Sequence, residues 1–317
     1  MTRKDIAVAL LLTVLCAVVA LASPQFLSVA NLQNVARLVG TYGIFSIGVG
    51  LVIISGGIDL SVGSICALLG VLLSMMLVEW HWPPIVAVAA ALAIGACLGA
   101  IHGVLIARLR LQPFIVTLCG LLLYRGAARY IARDSTKGFG AAEGFEWVRT
   151  IAAGSLGGVP MPFVLLAIVG VGAWLLLHRS VFGRHLVAIG RNEEAARYAG
   201  VRTQAVVAWA YVISGTLAAV TAIIIAFYTN SISPASHGNF YELYAIAAAV
   251  VGGCSLRGGE GSIVGIVMGA ALLQVLRNLV NLLDIPSSLD FAVMGGVILV
   301  GAIADRLVAQ RSPRTES

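Results

Sequence analysis

The stretch "VIISGGIDLSVGSICALLG" (residues 52–70) decides how this chain is read. Apolar residues flank it on both sides, yet Gly56 and Gly57 interrupt it and Asp59 follows. A carboxylate at the bilayer midplane costs about 2.5–3.5 kcal/mol on insertion scales, so it must face protein or water. Glycines permit irregular backbone there, and free N–H groups at the start of a following helix bond a carboxylate. A helix broken near residues 55–64 is therefore expected, shaped by Gly56, Gly57, Ser61 and Gly63, with Asp59 as the cap that pins it.

The rest of the composition fits a membrane. Of 317 residues, 60% are hydrophobic and 11% charged, against about 25% charged in soluble domains. Apolar runs lie at 6–22, 38–54, 61–78, 85–107, 113–132, 160–178, 205–228, 242–253, 262–283 and 290–308. Runs of about 20 such residues read as spanning helices. The chain is thus expected to be an all-α polytopic membrane protein, one domain over residues 1–317 with about ten spans. The run at 6–22 follows a basic start and ends in Ala20-Leu21-Ala22, as a secretory signal does. It exceeds the usual length of ~7–15 residues for a signal's apolar core, which favours a retained first helix.

Charge placement gives an orientation. With the N-terminus cytoplasmic, most Lys and Arg residues fall on the inside, which favours an even number of spans with both termini cytoplasmic. Residues 133–159 then form a polar, Gly-rich external loop, and residues 179–204 a cytoplasmic one. Within the latter, Asn192 suits an N-cap, Glu193 and Glu194 a first turn, and Gly200 a helix end. Such a helix either lies on the lipid surface or docks a partner. Arg125, Arg129 and Arg133 at four-residue spacing resemble a solvated helix end.

Several chemistries find no support. The two lysines, Lys4 and Lys137, do not follow a glycine, so no G-x-x-x-x-G-K-[ST] phosphate loop is encoded. The five histidines and five cysteines show no metal-ligand spacing, and the cysteines sit in apolar runs as packing residues. No catalytic residue, cofactor or metal site is expected, and no basic, aromatic patch suggests nucleic acid.

A second glycine-rich break, "VVGGCSLRGGEGSIVG" (250–265), echoes the first. Paired broken helices are common in transporters built from inverted repeats. Six spans separate these two breaks, however, and an inverted repeat needs an odd offset. Gly95/Gly99/Gly103 and Gly261/Gly265/Gly269 read as close-packing stripes. Gln274, Asn278 and Asn281 share a helical face that either lines a solute path or bonds a neighbouring helix.

Three blocks carry a resemblance. "SGGIDLSVGS" (55–64), "FGRHLVAIGRNEEAARYAGV" (182–201) and "YELYAIAAAVVGGCSLRGGEGSIVG" (241–265) are similar to blocks of the ribose/galactose-type sugar permeases of bacterial ABC importers. The similarity runs from about residue 30 to 308, and ribose and galactofuranose-type permeases look nearest. The resemblance implies a type II-like importer fold with broken helices near 55–64 and 252–262, in the bacterial inner membrane. It implies a second permease subunit, cytoplasmic ATPase subunits and a periplasmic sugar-binding protein as partners, with ATP hydrolysed outside this chain.

It further implies that Gly190, Asn192, Glu193, Ala195, Ala196 and Gly200 belong to the segment that docks the ATPase. Arg191 stands where many members have glycine. A neutral sugar needs only a polar path, for which Asp59, Ser61, Gln112, Thr117, Glu242 and Asn278 are the candidates. The competing expectations are an ion-coupled carrier, with Asp59 and Glu242 taking up protons or sodium, and a nucleoside or autoinducer permease of the same superfamily.

Overall fold

The computed structural model describes residues 3–140 and 143–286, with a few single positions between Leu289 and Leu299. Helices α1 (Arg3–Ala22), α2 (Val29–Ile54), α3 (Val62–Ser74), α4 (Pro84–Ala107) and α5 (Pro113–Ala132) come first. Helices α6 (Glu146–Ala153), α7 (Met161–Trp174), α8 (Val181–Arg191) and α9 (Glu193–Tyr198) occupy the middle. The last are α10 (Thr203–Thr229), α11 (Tyr241–Val251) and α12 (Ile263–Leu282). One π-helical turn extends α3 to Glu79 and another extends α7 to Arg179. Among the described residues eight helices are long and apolar enough to cross a membrane, and α11 is a short ninth. The expected span at 290–308 lies for the most part outside the described residues, as do Arg306, Arg311 and Arg314.

Local sequence sets the helix starts. Pro84, Pro113 and Pro162 occupy first turns, where the missing N–H is no loss. Ser28, Ser180 and Ser262 each accept a backbone N–H from the first turn of α2, α8 and α12. Phe240 precedes α11 with a left-handed φ of 64°, an unfavourable conformation for a bulky residue that turns the chain sharply into the helix.

α2 and α10 form the centre, with α2 buried along nearly its whole second half. α1, α4, α5 and α7 surround them and turn Leu10, Ile85, Phe114, Leu122 and Ile168 outward. In water such a surface would be unstable; in lipid it is matched. The glycine stripes work as packing: a Cβ on Gly99 of α4 would stand 2.2 Å from the Tyr211 carbonyl oxygen of α10. Likewise a Cβ on Gly269 of α12 would stand 2.1 Å from the Ala248 carbonyl oxygen of α11. Only glycine lets those backbones meet.

Residues 133–140 and 143–160 hold α6 and three short strands, which form two antiparallel ladders with one strand after α10. Strand β1 (Lys137–Gly138) pairs with β4 (Ser231–Ile232), and β2 (Ser155–Leu156) pairs with β3 (Val159–Pro160). The Lys137 ammonium also meets the Glu79 carboxylate at the end of α3. This end of the bundle is opposite the one carrying α8 and α9.

Both expected breaks are present. α2 stops at Ile54 and α3 starts at Val62; α11 stops at Val251 and α12 starts at Ile263. The six crossings between them (α3, α4, α5, α7, α10, α11) return the chain to the same end. There the breaks touch: the Gly259 N–H donates to the Ile54 carbonyl at 2.8 Å. α1 closes the second break from outside, with Ser262 Oγ donating to Asp5 Oδ1 at 2.5 Å and Lys4 Nζ 3.0 Å from Glu260 Oε2.

Candidate functional site

The first break is held by side chains. Asp59 is 1% exposed and accepts from the Ser61 N–H at 3.1 Å, Ser61 Oγ at 2.6 Å and Ser214 Oγ of α10 at 2.9 Å. Tyr211 of α10 donates to the Ile58 carbonyl at 3.1 Å. Thr117 of α5 donates to the Pro113 carbonyl at 2.8 Å and makes a longer bond of 3.4 Å to the Ile58 carbonyl. The carboxylate thus carries three donors, two of them hydroxyls, which is what a buried charge requires.

A chain of donors backs this arrangement. Tyr124 Oη lies 2.8 Å from His102 Nε2, and His102 Nδ1 lies 3.4 Å from Ser61 Oγ. Since Ser61 gives its proton to Asp59, its oxygen is left to accept from Nδ1–H, and Nε2 is left to accept from Tyr124. That assignment makes the imidazole neutral and points every donor toward Asp59.

The expectation that Asp59 caps α3 is corrected. The cap position is Ser61, whose hydroxyl makes no bond to α3. Two residues further out, Asp59 reaches the N–H of Ser61 and braces the break against α10 instead.

Gly63 marks a second contact. A Cβ there would stand 2.2 Å from the Gly238 carbonyl oxygen and 2.4 Å from Glu242 Oε2. Arg125 of α5 donates to the Pro234 and His237 carbonyls. Arg125 is therefore no solvated helix end, in contrast to the sequence expectation. Arg129 fits that description, pairing with Asp134 at 2.6 Å on an exposed surface. The Arg129 hydrogen bond holds the Asp134 carboxyl below the usual carboxylate range.

Residues 181–200 lie at the end where the breaks meet. Asn192 Oδ1 accepts the Ala195 N–H at 2.9 Å and opens α9; Gly200 leaves it with φ 83°. Ala196 alone is buried among Glu193–Tyr198, so Glu193, Glu194, Arg197 and Tyr198 form an uncovered face. A Cβ on Gly190 of α8 would stand 2.0 Å from the Ile54 carbonyl oxygen and 2.3 Å from the Gly259 nitrogen. Gly190 thus touches both breaks at once.

The residues expected along a path divide into three places. Asp59, Ser61, Thr117 and Glu242 gather around the start of α3. Gln112 lines a cleft of about 420 Å³ beside Gly57, Glu193 and Tyr211. Asn278 stands apart, exchanging amide bonds of 2.7 and 3.0 Å with Asn31 of α2. That pair bonds neighbouring helices, yet Asn278 also borders a cavity of about 210 Å³ with Gln274, Arg277 and Asn281. Ser214, Tyr211, His102 and Tyr124 escape sequence reasoning, being single polar residues in long apolar helices. Only the inward register of Tyr211 and Ser214, three residues apart on α10, hints at them.

A family described as "Branched-chain amino acid transport system / permease component" matches residues 31–302. The ribose import permease protein RbsC of Escherichia coli (strain K12) is 40% identical over 295 residues, covering 93% of this chain and 91% of that protein. RbsC of Bacillus subtilis (strain 168) is 38% identical over 296 residues, covering 93% and 90%. The xylose transport system permease protein XylH of E. coli (strain K12) is 31% identical over 344 aligned positions, covering 90% and 87%. No solved structure matches. With the family spanning both breaks and the α8–α9 segment, the chain belongs to this family of multi-pass membrane permeases.

Proposed function

We propose that the chain is the transmembrane permease subunit of an ATP-driven bacterial importer for a monosaccharide of the pentose or hexose class. The observation that carries this reading is the 36–40% identity to ribose permeases over more than nine-tenths of the chain. ATP is hydrolysed on separate cytoplasmic subunits, a periplasmic binding protein delivers the sugar, and a second permease subunit completes the pathway. Both termini and residues 179–204 face the cytoplasm of the inner membrane, and residues 133–159 the periplasm.

Mechanistically, α9 offers Glu193, Glu194, Arg197 and Tyr198 to the ATPase. Gly190, with Asn192, Ala195, Ala196 and Gly200 shaping the segment, passes its movement to both breaks through the contacts at Ile54 and Gly259. Displacement of the first break moves Asp59, Ser61 and Thr117, and with them the ends of α3 and α5 near Glu242 and Gln112. Asp59 already has its hydrogen bonds filled by protein and shapes the path without binding solute.

The decisive measurement is sugar uptake and ATPase activity in the full complex reconstituted in lipid vesicles. Ala196→Pro, which removes the bond from its N–H to the Asn192 carbonyl and breaks α9, is expected to abolish solute-stimulated ATPase activity. Normal stimulation would refute the docking role. Uptake driven by an ion gradient without ATP would replace the reading with an ion-coupled carrier.

A further inference from the structure

We propose that the cavity between α2, α10, α11 and α12 is a subsite for a neutral monosaccharide; the substrate class rests on the function proposed above. The cavity measures about 210 Å³ and opens at the end opposite α8 and α9. It is smaller than the ~300–1,000 Å³ of drug-sized pockets, as suits a single sugar ring. Tyr42, Tyr241, Gln274, Arg277, Asn278 and Asn281 border it.

Each type of lining group has a use for a sugar. The Tyr42 and Tyr241 rings, with centroids 5.1 Å apart, provide apolar faces for the C–H side of a pyranose or furanose. Gln274 is 2% exposed and its Oε1 has no hydrogen-bond partner in the protein. Enclosed acceptors in folded proteins nearly always have a donor, and a sugar hydroxyl supplies one. The Asn278–Asn31 amide pair fixes the wall beside it. Asn281, one turn beyond Asn278, sits exposed at the rim.

Charge selects the ligand. Among the described residues that border it, Arg277 is the charged one, stacked 5.1 Å over the Tyr244 ring, and none is a carboxylate. The ammonium group of an α-amino acid would find no carboxylate among these described residues. A neutral polyol brings no such demand. Few direct bonds also keep binding weak, as passage requires: the ligand must enter and leave.

The test uses the full-length permease in lipid nanodiscs without the binding protein, probed by saturation-transfer NMR with D-ribose, D-xylose and L-leucine. A sugar signal is expected in the wild type, falling about tenfold in Gln274→Leu, and no leucine signal. Asn281→Ala alters an exposed side chain, so it decides the matter if Gln274→Leu fails to fold; its signal should fall severalfold. A sugar signal unchanged in both variants overturns the subsite. So does the absence of any sugar signal from a permease whose complex imports monosaccharide, which leaves the proposed function standing. A leucine signal lost in Gln274→Leu overturns the sugar class, and failure of the complex to import any monosaccharide overturns the function itself.

Discussion

The two glycine breaks look alike in sequence and are built differently. The first is buried and tied by side chains from three other helices: Ser214 and Tyr211 of α10, Thr117 of α5, and His102 of α4 through Ser61. The second is a run of backbone turns, with Gly253, Gly258, Gly259 and Gly261 all at positive φ. Its side-chain ties come from the first turn of α1, by way of Asp5 and an exposed Lys4–Glu260 pair. Repetition of a sequence pattern therefore does not mean repetition of a device. The first break is a bearing braced by side chains, and the second is a backbone turn laid against it.

Substitutions should separate the two. The largest effect is expected for Asp59→Asn, which removes a buried charge holding three donors and sets an amide donor among them. Charge-assisted bonds are worth about 1.5–3 kcal/mol each, so lower folded yield, a lower melting temperature and lost uptake are expected together. Full uptake at normal expression would show the charge to be incidental. At the second break, Ser262→Ala removes both the bond to Asp5 and the cap on the Gly265 N–H. A loss of about 1–2 kcal/mol in thermal unfolding is expected, and a loss matching that of Asp59→Asn would erase the contrast. The smallest effect belongs to Lys4→Ala: both side chains of that pair are about half exposed. Such pairs contribute ~0–1 kcal/mol and weaken in salt, so a clear fall in stability that persists in high salt would give the pair a larger role.

Sequence alone located both breaks, the cap at Asn192 and the helix end at Gly200, because each depends on local chemistry that a few adjacent residues declare. It placed the start of α2 too late: residues 29–37 include Asn31, Gln33, Asn34 and Arg37, which dilute hydropathy without breaking the helix. Its spacing to Arg129 and Arg133 makes Arg125 resemble a solvated helix end, although its partners are carbonyls more than a hundred residues away. Polarity within a membrane groups Asn278 with Asp59, while packing assigns it to Asn31. The bearing around Asp59 was legible only in its acidic member. Its hydroxyl and imidazole donors lie on helices whose register with the break is decided by glycine packing, which no local pattern records.

One hydrogen bond has topological weight. The Gly259–Ile54 contact joins two turns with six crossings between them, and it exists only because that number is even. Adding or removing a single crossing would carry the second turn to the far surface, about 30 Å away across the hydrocarbon core. The parity of the chain's middle section is thus written into one N–H···O bond, and extra spans between the breaks are tolerable only in pairs.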